Sequence, residues 1–71
     1  MSQLESFLYK SRYDGTRLYA KKIARFMQTM SMTKGIVHGL AGDYIVRDCR
    51  SGDISFIRAD VFEDEFERTR G

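Results

Sequence analysis

One cysteine and one histidine are the only thiol and imidazole in a chain of 71 residues. Cys49 alone cannot close an internal disulfide. His38 has no second histidine, and no cysteine at ligand spacing, with which to build a zinc site. A chain this short buries only about 60% of the surface its unfolded form exposes. Ordering it costs on the order of 100 kcal/mol, at about 1.5 kcal/mol per residue. Without staples, stability must come from packing, from self-association, or from both. These limits predict one small domain over residues 1–71 with a single thin core. They exclude a multidomain enzyme and leave little room for a deep, dry pocket.

Apolar residues make up 42% of the chain, too many for a disordered one. No run of eighteen apolar residues occurs, so no membrane-spanning helix is expected. Met1-Ser2-Gln3-Leu4-Glu5 lacks the basic and apolar regions of a secretory signal. A lone thiol without such a signal fits a reducing, cytoplasmic setting.

Charge is unevenly placed. From Tyr9 to His38 there are seven lysines and arginines against one acid, Asp14. From Gly39 onward there are eight acids and five arginines, with Asp60, Glu63, Asp64, Glu65 and Glu67 crowded near the end. Such halves either neutralise one another or offer the basic part as a docking surface for an acidic partner.

The back half reads as a hairpin. Tyr44-Ile45-Val46-Arg47-Asp48 is rich in strand formers. Cys49-Arg50-Ser51-Gly52 supplies a turn, and Ile54-Ser55-Phe56-Ile57 returns. Ala59 to Asp64 predicts one short helical turn, after which Phe66 re-enters the core. Ile36 and Val37 read as a short strand between Gly35 and Gly39, and Asp43 is placed to bond a nearby backbone amide.

The front half supports two readings. Tyr19, Ile23, Phe26, Met27 and Met30 recur at helical spacing, which favours a helix over about 17–29. Asp14-Gly15 is instead a hairpin signal, with Phe7, Tyr9 and Tyr13 before it and Leu18 and Ala20 after it able to share one sheet face. Ser2 and Glu5 have the spacing of a helical capping box. The fold class expected is α+β, mainly β: a small twisted sheet or half-barrel around a 44–48/54–58 hairpin, with the 17–29 helix as an option. The expected core is Phe7, Leu18, Ile23, Phe26, Val37, Tyr44, Val46, Phe56, Val61, Phe62 and Phe66. Phe26 with Met27, Met30 and Met32 reads first as adaptable core, and second as a patch buried in a homodimer or on a partner.

Gly35, Gly39, Ala41-Gly42-Asp43-Tyr44-Ile45-Val46, Gly52-Asp53, Asp60-Val61-Phe62-Glu63 and Phe66-Glu67 form an ordered series. It resembles a group of small bacteriophage and prophage proteins built around a (P/A)GDY strand and ending in an Asp-Ile-Phe-Glu-x-x-Tyr-Glu-like segment. The resemblance spans residues 35–67. It departs at Ala59, where such proteins often have proline, and at Ser55 and Phe66, where they often have tyrosine. It implies a mainly β domain of phage or prophage origin and carries over no catalytic residue and no cofactor.

No catalytic constellation emerges. The glycines of 35–42 lack the Gly-Lys-Ser/Thr ending of a phosphate loop. The 48–53 segment places Arg50 at a ligand position of a calcium loop and lacks its closing glutamate. Cys49 beside Arg50 would act as a nucleophile only with His38 brought to it. The most informative segment is 9–25, where Lys10, Arg12, Tyr13, Arg17, Tyr19, Lys21, Lys22 and Arg25 are the candidate partner-binding residues. The leading expectation is a non-enzymatic protein-binding module without metal or cofactor. It would occupy a surface of a host or phage protein, as an inhibitor does. The alternative is a nucleic-acid binder, in which those cations hold phosphates and Tyr9, Tyr13 and Tyr19 stack on bases.

Overall fold

Leu18 and Ala20 are buried while Arg17 and Tyr19 beside them are exposed. That is the period of two a strand imposes, and it organises the molecule. The structure, a computed structural model, describes residues 6–69. Its strands are β1 (Phe7–Ser11), β2 (Arg17–Lys22), β3 (Met27–Ser31), β4 (Gly35–Gly39), β5 (Tyr44–Asp48), β6 (Ile54–Ile57) and β7 (Phe66–Arg68), with one helix, α1 (Ala59–Glu65), before the last. Five strands form an antiparallel sheet in the order β6-β5-β2-β1-β7. The β3–β4 hairpin is a second, two-stranded sheet, and neither closes into a barrel. The mainly β, α+β expectation therefore holds, and the expected 44–48/54–58 hairpin forms as β5–β6, at one edge of the sheet rather than its centre. The Ser2–Glu5 capping box lies outside the described residues.

The 17–29 helix does not form. Arg17–Lys22 is a central strand, bonded to β1 on one side and β5 on the other. Met27–Ser31 is a strand of the second sheet. Of the five residues in the helical stripe, only Ile23 is buried. A helix there would satisfy its backbone locally, whereas β2 joins two neighbouring strands and buries Leu18 and Ala20 between them. Tertiary pairing outweighs a weak periodicity. The Asp14-Gly15 signal acts, but inside a longer loop: Ser11 N–H bonds Thr16 O, and Gly15 takes a φ of 77°.

One face of the large sheet carries the core. Leu18, Ala20, Tyr44, Val46 and Phe62 form a buried cluster, with Tyr9, Ile57, Ala59 and Phe66 packed on it. Phe62 is the only large side chain fully buried among the described residues. Its ring stacks on Tyr44 at 4.1 Å and on Phe66 at 5.0 Å, and meets the edge of Tyr9 at 4.7 Å. Aromatic contacts of this kind add about 0.5–1.5 kcal/mol each beyond the area they bury. Tyr44 Oη donates to Glu63 Oε2, so the polar end of this buried ring is satisfied by α1 itself.

Several expected core residues lie elsewhere. Phe7 is 41% exposed; opposite Ala20 it points to the core side, with its ring under the guanidinium of Arg68. Val61 is exposed because Phe62, its neighbour, takes the inward side of α1. Phe26 is exposed in the bend before β3, Met30 and Met32 are exposed on the hairpin, and Tyr13 sits in the β1–β2 turn. Val37, Phe56 and Phe66 are half-buried. The methionine cluster is therefore surface, not core.

The β3–β4 hairpin is held over β6 by two devices. A β-carbon on Gly39 would strike the ring of Phe56, so only glycine allows this approach. At the other end, Asp53 accepts bonds from Met32 N–H (2.8 Å), Ser31 Oγ (2.9 Å) and Thr33 Oγ1 (2.8 Å), and also from its neighbour Ile54 N–H. These donors, Thr33 and Met32 foremost, pull the Asp53 carboxyl down to about 2.

Candidate partner-binding groove

Alternation on β2 and β5 sends Tyr19, Lys21, Ile45 and Arg47 to the sheet face opposite the core. The register places Tyr19 beside Arg47 and Lys21 beside Ile45, and β6 continues these rows with Ile54 and Phe56. The β3–β4 hairpin covers the Phe56 end and leaves the rest open. What remains is an open groove of about 940 Å³. Tyr19, Lys21, Arg25 and Arg47 supply its polar and cationic rim. Ile45, Ile54 and Met27 supply an apolar floor. No acidic residue among those described lines it. Arg25 and Arg47 make no ion pair with any described residue.

The acids lie mostly on the other side. Asp60, Glu63, Asp64 and Glu65 belong to α1, and α1 packs through Phe62 on the core face. The sheet thus separates a cationic face from an anionic one. Two acids are exceptions: Glu67 stands opposite Lys10 at the β7 edge, away from the groove, and Asp53 is engaged by the tip of the β3–β4 hairpin.

The eight residues expected from the 9–25 segment divide four ways. Tyr19, Lys21 and Arg25 meet in the groove. Lys10 and Arg17 pair across β1 and β2 one row further along the same face. Arg12 and Tyr13 stand in the exposed β1–β2 turn. Lys22 borders the groove, but its side chain alternates to the helix side, where Nζ lies 3.9 Å from Glu63 and 5.8 Å from the Tyr44 ring centroid. A half-exposed pair like this contributes at most about 1 kcal/mol.

Arg47 and the apolar floor escaped the 9–25 window because they come from a distant strand. The signal was present: in Tyr44-Ile45-Val46-Arg47, a core assignment for Tyr44 and Val46 commits Ile45 and Arg47 to the opposite face. Tyr9 is spent in the core against Phe62. Cys49 is exposed beyond the end of β5, whereas His38 is a residue of β4 and stacks on Phe26 at 5.8 Å.

Among the described residues, no cluster of three or more histidine, cysteine or carboxylate side chains is arranged to hold a metal ion, and no helix is long and apolar enough to cross a membrane. Comparison of the chain with protein-family models, with curated proteins and with solved structures gives no match.

Proposed function

We propose that this chain is a non-enzymatic protein-binding module whose groove seats an acidic segment bearing apolar side chains. The observation that carries the reading is the pairing of a cationic rim with an apolar floor, on the face turned away from the helix acids. Carboxylates would meet Arg25, Arg47 and Lys21, while leucine-like side chains would lie on Ile45, Ile54 and Met27. Arginine and tyrosine are the residue types that dominate interface energetics. Complementary charge would raise the encounter rate and fix the register.

A polynucleotide fits less well. Single-strand binders line their grooves with successive aromatic platforms. Here Tyr19 is the only aromatic residue of the groove among the described residues; Tyr9 is in the core and Tyr13 in the β1–β2 turn. The resemblance to phage and prophage proteins supports a phage-encoded module acting in the host cytoplasm. It would act by occupancy, blocking a surface of a host or phage protein.

The test is affinity capture from bacterial extract with and without nuclease, using the wild type beside an Arg25→Glu/Arg47→Glu variant. The expected result is a protein partner that survives nuclease and is lost with the variant. Capture of nuclease-sensitive material alone, or equal capture by both proteins, would overturn the reading.

A further inference from the structure

The outward face of the β3–β4 hairpin has no partner and carries no charge. Even-numbered positions of β3 and β4 point away from β6. Met30 lies opposite Ile36, Gln28 lies opposite His38, and Phe26 and Leu40 flank the other end. Phe26, Met30, Met32, Ile36 and Leu40 are 55–69% exposed. Together they offer on the order of 600 Å² of apolar surface, the top of the range that monomers leave in water.

We infer that this face is a two-fold interface with a second copy of the chain. Area is the first argument. Two such faces would bury about 1,200 Å², the lower bound for specific association. Sign is the second. A two-fold contact sets one patch against the same patch of the other copy, so a face of one charge sign would repel itself, and this one lacks lysine, arginine, aspartate and glutamate. Pattern is the third. The face runs apolar pair, polar pair, apolar pair. An axis through Gln28 and His38 lays Met30 and Ile36 of one copy on Phe26 and Leu40 of the other, polar on polar and apolar on apolar. Arg25 and Lys34 stand at the two ends as a polar rim. Finally, a two-stranded hairpin is marginal unless covered. β6 covers one face of this one, and the second copy covers the other. The interface shares Arg25 and Met27's strand with the groove, but its area, sign and pattern are properties of the outward hairpin face alone, so it stands whether or not the groove reading does.

Sedimentation of the full chain across a concentration series tests it. The mass should rise from the 8.3 kDa of the monomer toward twice that value. Met30→Glu, at an exposed position, should keep the circular dichroism spectrum and raise the half-association concentration by ~100-fold, because it buries a carboxylate against Phe26 and Leu40 of the other copy. Gln28→Cys in a Cys49→Ser background should form a covalent dimer on mild oxidation, while Tyr13→Cys in the same background should not. The disulfide readout decides the matter even if Met30→Glu disturbs the fold. A wild type that stays monomeric into the millimolar range, or holds only a foreign polypeptide on this face, would overturn the inference. So would a Met30→Glu variant that associates like wild type, or a Gln28→Cys protein that cross-links no better than the Tyr13→Cys control.

Discussion

Asp53 follows Gly52, whose φ of 79° turns the chain so that the next carboxylate sits under the tip of the β3–β4 hairpin. There it serves as the acceptor for the Ser31–Thr33 turn and pins that tip to the start of β6. Its pKa, lowered from 3.8 to about 2, carries a sign. The folded state holds the ionised form more tightly than the unfolded state does. The stabilisation is therefore complete above pH 3.8 and is lost as pH falls toward 2. An acid titration followed by tryptophan-free probes, such as tyrosine fluorescence or amide exchange, should show the hairpin loosening in that window. Asp53→Asn should lower the melting temperature at pH 7 and flatten the acid transition between pH 4 and pH 2. At the hairpin's other end, Gly39→Ala drives a methyl group into the Phe56 ring. It should cost about 1–3 kcal/mol, as overpacking does, read as a lower urea midpoint.

At the scale of elements, α1 shows how little of this fold is local. Seven residues are too few for a stable isolated helix, and Arg58 at its N-cap makes no side-chain capping bond. Phe62 holds the helix to the sheet. Phe62→Ala should cost about 3–5 kcal/mol, a large share of the roughly 4–10 kcal/mol a chain this size has in total. Val61→Ala, one residue away and outward, should stay within about 0.5 kcal/mol. Urea denaturation of the pair checks both. The elements most legible in the sequence were those encoded by a turn and an alternation together: Tyr44–Asp48 with Ile54–Ile57, and the Asp43 carboxylate, which accepts from Leu40 N–H at 2.9 Å. The 17–29 region misled because Tyr19, Ile23 and Met30 repeat at helical spacing by chance, and what decides β2 is its bonding to β1 and β5. Phe26 and the methionines read as core because apolar character was visible and the facing of the hairpin was not. The basic side of the groove was legible from Tyr19, Lys21 and Arg25. Its floor was not, since Ile45 and Ile54 reach it only through the β2–β5 and β5–β6 registers.

At the scale of the whole molecule, a net charge of +2 conceals a cationic groove on one face of the sheet and four helix acids on the other. The Lys22–Glu63 pair spans only the helix side, so it leaves the cationic rim of the groove in place. A rim of this kind should give binding that weakens as salt rises, while the apolar floor should retain a salt-resistant part. Fluorescence anisotropy measures both against defined probes: a labelled peptide alternating glutamate and leucine, its lysine-for-glutamate counterpart, and an oligothymidylate of similar length. The wild type should bind the acidic peptide saturably and in preference to the other two, and Arg25→Glu/Arg47→Glu should weaken that binding by ~10-fold or more. Tighter binding of the oligothymidylate, or an acidic peptide held equally well by the doubly substituted protein, would contradict the assignment of this groove to an acidic protein segment.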